Sequence, residues 1–102
     1  YMTTFKRINV DTATDMISNK SFILIDIRDV ASYMREHIKG AINLNDKNIN
    51  NFICNTPKDS SILVYCYHGN SSQRAANFLC ESGFVDVYSL DGGYEDWTRK
   101  EK

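Results

Sequence analysis

The amino-acid sequence predicts an α/β domain built on a mainly parallel sheet of about five strands. Two continuous apolar runs, residues 22–25 and 62–65, are typical of parallel strands that are buried on both faces. Shorter apolar runs alternate with segments whose apolar residues recur at helical spacing, which is the order of elements in α/β proteins. The chain has 102 residues, enough for one hydrophobic core and too few for two. We therefore expect a single domain over residues 1–102, with its core at about residues 5–100.

The N-terminal part of the chain predicts two strands with a helix between them. Residues 8–10, with apolar residues at both ends, predict a brief first strand. Thr12 and Asp15 have the spacing of a capping box at the start of a helix, whose apolar positions are Ala13, Met16 and Ile17. The second strand, at residues 22–25, ends at Asp26.

The middle of the chain continues this alternation. A helix that is expected to stop at Gly40 has apolar residues at i, i+3 and i+4, namely Val30, Tyr33 and Met34. Residues 41–44 predict another short strand. A further helix closes before Pro57, and the same spacing is seen in Ile49, Phe52 and Ile53.

The C-terminal part predicts two more strands, each followed by a helix. Cys66 sits at the carboxyl end of the strand at residues 62–65, and the next helix begins near Ser71 or Ser72 and ends at Gly83. One face of that helix is apolar and consists of Ala76, Leu79 and Cys80. Residues 87–90 predict the last strand, and a short helix then carries Tyr94 and Trp97.

Composition excludes several classes of function. A net charge of -1 and a pI of about 6.1 give no reason to expect nucleic acid or an anionic membrane as a partner. No stretch approaches the roughly 20 apolar residues that cross a bilayer. The three cysteines are an odd number without a CxxC spacing, and the two histidines lie far apart in the sequence. We therefore expect no disulfide framework, no metal site and no cofactor, and a reducing, cytoplasmic location.

Cys66 is the main candidate for chemistry, because ligands of open α/β sheets bind outside the carboxyl ends of the strands. The amides of the following loop and first helical turn have no intrahelical partners and can point at a thiolate, which lowers the pKa of the thiol. Gly69 gives the loop its conformational freedom, and Ser71 and Ser72 offer a helix cap or extra hydroxyl donors. The alternative is that Cys66 is a small buried hydrophobic residue.

The other cysteines and the histidines have weaker claims. Cys80 shares an apolar helix face, which favours a core position, and the exposure of Cys54 cannot be read from the pattern. His68 could serve as a base for the thiol or could point to solvent, and His37 is interpreted as structural. A hydrolytic triad therefore has little support.

Four segments in order resemble the rhodanese family, most closely its single-domain thiosulfate sulfurtransferases of the GlpE type. They are "LIDIRD" (24–29), "HIKGAINL" (37–44), "CYHGNSS" (66–72) and "VDVYSLDGGYEDW" (85–97). The resemblance covers nearly the whole chain. Glu36 stands where the family usually has glycine, and we expect it to affect a turn.

The resemblance implies a single rhodanese-like domain, with a five-stranded parallel sheet and helices on both faces. It implies that Cys66 is the catalytic residue, taking the outer sulfur of thiosulfate as a persulfide and passing it to cyanide or to a thiol such as reduced thioredoxin. The implied substrate-binding residues are Tyr67, His68, Gly69, Asn70, Ser71 and Ser72. The implied structural support is Asp26, Arg28, His37, Gly92, Gly93 and Trp97. Many relatives have arginine where this chain has Tyr67, which implies weak thiosulfate binding.

Two other functions remain open from the sequence. Cdc25-like phosphatases and arsenate reductases share the fold, but their loop is one residue longer and ends in an arginine that binds phosphate oxygens. Here Ser72 stands six positions after Cys66, and Arg74 falls inside the helix. A persulfide carrier or binding module with little turnover is the second alternative, although inactive modules typically lack the cysteine.

Overall fold

The computed structural model describes residues 4–101 and arranges them around one parallel sheet. Within these residues the strands are β1 (Lys6–Ile8), β2 (Ile23–Asp26), β3 (Ile42–Asn43), β4 (Ser61–Tyr65) and β5 (Asp86–Leu90). Their order across the sheet is β1-β5-β4-β2-β3, and every neighbouring pair is parallel. The predicted α/β class and five-stranded parallel sheet are confirmed.

Five helices in the described part of the chain connect these strands. They are α1 (Val10–Asn19), α2 (Val30–Arg35), α3 (Ile49–Asn55), α4 (Ser71–Glu81) and α5 (Gly93–Glu101). Alternate residues of each strand face opposite sides of the sheet. Leu63 and Tyr65 pack in the core that includes residues of α1 and α5, whereas Ile62 and Val64 pack in the core that includes α4. Helices therefore cover both faces.

Because helices cover both faces of the sheet, β4 is buried on both of its faces. Residues 62–65 are almost inaccessible to solvent, and β4 lies between β5 and β2 in the sheet. The continuous apolar run in the sequence has this burial as its cause. Cys66 follows β4 directly, so the centre of the sheet positions it.

The clearest differences from the sequence prediction are at β1, at the start of α1 and at the end of α2. The first strand is Lys6–Ile8 rather than residues 8–10, because Val10 already begins α1. Asn9 caps that helix instead of Thr12, and its side chain accepts a hydrogen bond from the Thr12 amide at 2.9 Å. α2 ends at Arg35, before Gly40, because Glu36 has extended backbone angles.

No helix among the described residues has the length and apolar character to cross a membrane.

Candidate active site

The β4–α4 connection, residues 66–70, holds the Cys66 sulfur among hydrogen-bond donors. The amide of Gly69 donates to Sγ at 3.1 Å, and the amide of Ser72 donates at 3.3 Å. The Ser72 hydroxyl oxygen lies 3.5 Å from the same sulfur. Ser72 is the second residue of α4, so its amide has no partner inside the helix and is available to an anion.

These contacts change the protonation of the thiol. Burial raises the pKa of Cys66, but the hydroxyl and amide of Ser72 and the amides of Gly69 and His68 lower it by more, so the pKa lies below its ordinary value. For Cys80 the balance is the opposite, because burial raises the pKa of its thiol. Cys80 is buried in the apolar core with Ala76 and Leu79, as the sequence predicted. Of these two buried thiols, only Cys66 therefore has a lowered pKa, which is the environment typical of reactive cysteines.

The N-terminus of α5 fixes the backbone of the loop. The Tyr94 amide donates to the Cys66 carbonyl at 2.8 Å, and the Glu95 amide donates to the Tyr67 carbonyl at 3.0 Å. This approach requires glycine at position 93, where φ is +59° and a Cβ atom would lie 2.5 Å from the Cys66 carbonyl oxygen. The loop and the start of α5 therefore form one unit.

Gly69 is the second position where close backbone approach demands glycine. Its φ is +95°, and a Cβ atom there would lie 2.7 Å from the Gly92 nitrogen. Its carbonyl accepts a hydrogen bond from the Gln73 side-chain amide at 2.9 Å. Gly69 therefore links the loop to α4 through its carbonyl, while its amide donates to the Cys66 sulfur.

A buried ion pair supports the neighbouring strand end. Asp26 is opposite Tyr65 in the β2–β4 register and is fully buried. Arg28 Nη2 lies 2.7 Å from Asp26 Oδ2, and the Arg28 amide also donates to Oδ1 at 2.8 Å. Burial lowers the pKa of Arg28, but the hydrogen bond and the charge of Asp26 raise it by more, so the guanidinium stays charged.

Arg28 connects this pair to α5. Its guanidinium carbon lies 4.1 Å from the centre of the Tyr94 ring, and its Nη2 donates to the Glu36 carbonyl at 2.6 Å. The Tyr94 hydroxyl donates to Glu36 Oε1 at 2.7 Å. Glu36 therefore does more than shape a turn, because its backbone and side chain hold both Arg28 and the residue whose amide binds the Cys66 carbonyl.

The rim of the loop is exposed. Tyr67, His68, Asn70 and Ser71 are all solvent-accessible, and Ser71 does not cap α4. Asn70 occupies the cap position without a side-chain hydrogen bond to the helix. His68 Nδ1 lies 3.3 Å from Glu95 Oε1 on α5. A role of His68 as a base stays a prediction.

The remaining predicted residues lie outside this cluster of contacts. His37 is exposed, stacks on Tyr33 with ring centres 3.9 Å apart, and contacts the Tyr33 carbonyl through Nδ1. Trp97 is half-buried and packs against the α1–α5 core. Cys54 and Arg74 are exposed. Among residues 4–101, no group of three or more His, Cys, Asp or Glu side chains is placed to hold a metal ion.

Sequence reasoning missed residues that reach the loop from elsewhere. Ser89 on β5 contacts Ser72, Tyr94 on α5 binds the Cys66 carbonyl, and Gln73 binds the Gly69 carbonyl. Ser89 lies in an otherwise apolar strand, and a polar side chain in a buried strand is the signal that could have identified it. No local pattern identifies the other two.

Comparison with known proteins identifies the family of this chain. The family model described as "Rhodanese-like domain" matches residues 9–100. A Shewanella oneidensis protein named "Thiosulfate sulfurtransferase GlpE" is 49% identical over 94% of this chain and 95% of its own length. A protein of the same name from Pseudomonas putida is 45% identical over 94% of this chain and 87% of its own length.

A solved structure shows the same fold. The rhodanese-like domain of an Anabaena protein superposes with a TM-score of 0.83 at 24% identity, covering 92% of this chain and 74% of that one. Family match, relatives and fold agree over almost the whole described chain. This chain belongs to the rhodanese family.

Proposed function

We propose that this protein is a thiosulfate sulfurtransferase in which Cys66 carries the transferred sulfur. The observation that carries the proposal is the pair of amides, from Gly69 and Ser72, that donate to Cys66 Sγ, with the Ser72 hydroxyl oxygen 3.5 Å from the same sulfur. The lowered pKa of that thiol supports a nucleophilic role. The relatives at 45–49% identity carry the name of this activity.

In the first step, the Cys66 thiolate attacks the outer sulfur of thiosulfate. A bond forms between Sγ and that sulfur, and the sulfur–sulfur bond of thiosulfate breaks. Sulfite departs with the electron pair, and a Cys66 persulfide anion remains. We assign stabilisation of this anion to the amides between Tyr67 and Ser72, which are the fixed dipoles nearest to it.

In the second step, a nucleophilic acceptor attacks the outer sulfur of the persulfide. The persulfide bond breaks, its electron pair returns to Cys66, and the thiolate is ready for another cycle. Cyanide gives thiocyanate in this step, and we propose a cellular thiol such as reduced thioredoxin as the biological acceptor. Both steps balance without a metal or a cofactor.

The exposed rim shapes how substrates enter. The loop residues 66–72 carry no arginine or lysine, and Tyr67 is half-exposed where many relatives have arginine. We propose that thiosulfate is therefore bound weakly, with Asn70 and Ser71 as uncharged contacts at the rim and His68 as a neighbour. A free thiol persists most readily in a reducing compartment, and we propose that this protein acts in the cytoplasm.

The test is thiocyanate formation from thiosulfate and cyanide by three cysteine variants. Cys66→Ser is expected to lose activity while remaining folded, whereas Cys54→Ser and Cys80→Ser keep it. Cys54 is the exposed control thiol and Cys80 is the buried one. Full activity in Cys66→Ser would contradict the proposal. Turnover of p-nitrophenyl phosphate that is lost in Cys66→Ser would favour a phosphatase instead.

A further inference from the structure

A buried serine on β5 extends the donor set of Cys66 by one step. Ser89 is fully buried, and its Oγ lies 2.8 Å from the Oγ of Ser72, which is also fully buried. Ser72 Oγ in turn lies 3.5 Å from Cys66 Sγ. Among residues 4–101, Ser72 is the hydrogen-bond partner that the structure gives to the Ser89 hydroxyl. The three atoms form a short chain joined by two hydrogen bonds.

The number of protons in this chain depends on the state of the thiol. With Cys66 protonated, the thiol and the two hydroxyls bring three protons to two hydrogen bonds, so one proton at an end of the chain has no acceptor within it. With Cys66 as a thiolate, two protons serve two hydrogen bonds. Ser89 then donates to Ser72, and Ser72 donates to the sulfur. In the thiolate state each proton of the three-atom hydrogen-bond chain has an acceptor within it, whereas in the thiol state one proton must find its acceptor outside it, which is less favourable at a buried site.

We propose that Ser89 is a positioning residue that holds the Ser72 hydroxyl with its proton directed at Cys66 Sγ, and so favours the thiolate over the thiol. The proposal rests on the proposed function in one respect, namely that Cys66 is the reacting thiol. The amides of Gly69 and Ser72 are donors whatever the state of the sulfur. The Ser72 hydroxyl can donate or accept, and Ser89 decides which.

The hydrogen-bond chain from Ser89 to Cys66 is separate from the charged groups around the loop. Asp26 is paired with Arg28 beside β2. His68 on the loop is next to Glu95 on α5, with 3.3 Å between their nearest atoms. Neither pair has a hydrogen bond to Ser89, whose contact is with the hydroxyl of Ser72. The effect of Ser89 on Cys66 is therefore expected to pass through the Ser72 hydroxyl.

The experiment compares Ser89→Thr with Ser89→Val. The two side chains have nearly the same shape, both suit a β-strand, and they differ in a hydroxyl against a methyl group. The rate of iodoacetamide alkylation at Cys66, followed by peptide mass spectrometry, gives the midpoint of thiolate formation against pH. We expect the midpoint of Ser89→Val to lie about half a pH unit above that of Ser89→Thr, the shift that corresponds to one ordinary hydrogen bond.

Two controls separate this effect from a general loss of packing. Ser61→Ala removes another strand hydroxyl, whose Oγ donates to Asp86 at 2.6 Å, and should leave the Cys66 midpoint unchanged. In a Ser72→Ala background, Ser89→Thr and Ser89→Val should give the same midpoint, because the hydrogen-bond chain from Ser89 to Cys66 is already broken at residue 72. Equal midpoints for the two Ser89 variants with Ser72 present, or an undiminished difference without Ser72, would overturn the proposal.

The measurement does not depend on turnover. Loss of the proposed function would appear as sulfur transfer that survives Cys66→Ser, whereas failure of the Ser89 proposal would appear in the alkylation midpoints alone. If sulfur transfer depends on Cys66 and the midpoints coincide, the function stands and the role of Ser89 is wrong.

Discussion

Replacing Gly93 by alanine is expected to release the active-site loop from α5 and to remove most of the sulfurtransferase activity. Gly93 has a φ of +59°, and a Cβ atom there would lie 2.5 Å from the Cys66 carbonyl oxygen and 2.6 Å from that of Tyr67. Both contacts are with backbone atoms, so no side chain can rotate away. The loop that holds the Cys66 amide cradle must move instead.

The cost has two parts. A left-handed backbone at a residue with a Cβ atom costs roughly 1–2 kcal/mol. Moving the loop also weakens the hydrogen bonds from the Tyr94 amide to the Cys66 carbonyl and from the Glu95 amide to the Tyr67 carbonyl. At about 1 kcal/mol for each bond, Gly93→Ala should lower the free energy of unfolding by about 3–4 kcal/mol.

The matched control is Gly40→Ala. Gly40 has a φ of +87°, and a Cβ atom built there has nothing within 4 Å. This variant carries only the backbone cost of roughly 1–2 kcal/mol and should keep full activity. Urea unfolding and thiocyanate formation would be measured for both variants. Equal stability of the two proteins, together with full activity in Gly93→Ala, would refute the reasoning.

Three further predictions concern the thiol, the rim and the buried ion pair. Because hydrogen bonds lower the pKa of Cys66, the thiolate stabilises the fold above the ordinary thiol pKa of 9.0, and this stabilisation is lost as the pH falls through the lowered value. The stability of the wild type over Cys66→Ser should therefore increase with pH, and a pH-independent difference in urea unfolding would contradict this. Tyr67→Arg adds a half-exposed positive charge that should stabilise bound thiosulfate by about 1 kcal/mol, so the KM for thiosulfate should fall several-fold at low salt. An unchanged KM would show that the loop amides are sufficient to bind thiosulfate. Asp26→Asn leaves the buried Arg28 without its counter-charge and should lower the free energy of unfolding by about 3–5 kcal/mol, measured by urea unfolding. The control is Asp91→Asn, in the exposed pair with Arg7, which should cost less than about 1 kcal/mol. Similar losses in the two variants would contradict a special contribution of the buried pair.

The sequence was a good guide wherever burial repeats along one element. The runs at residues 22–25 and 62–65 became β2 and β4 because strands between two helical layers are apolar on both faces. It was a poor guide at residues 8–10, where the two apolar residues belong to different elements: Ile8 ends β1, and Val10 begins α1. Asn9, between them, supplies the helix cap, so the chain changes from strand to helix at this residue.

The candidate site divides in the same way. The cysteine, the glycine and the serine of the loop are close in sequence, so their order alone predicted a thiol facing amides and hydroxyls. Ser89 and Tyr94 come to the same place through the packing of β5 and α5 against α4 and β4, which no local spacing encodes. Glu36 was expected to affect only a turn. Its hydrogen bond with Tyr94 joins residues far apart in the chain, so no local sequence pattern could reveal it.

The intact mass of the protein after treatment with thiosulfate tests the central claim most directly. The wild type and Cys54→Ser should each gain the mass of one sulfur atom, and cyanide should remove it while thiocyanate forms. Cys54→Ser removes the exposed thiol and so controls for sulfur taken up at the surface. Cys66→Ser should gain nothing. A wild type that takes up no sulfur, or a Cys66→Ser variant that takes up as much as the wild type, would contradict the account.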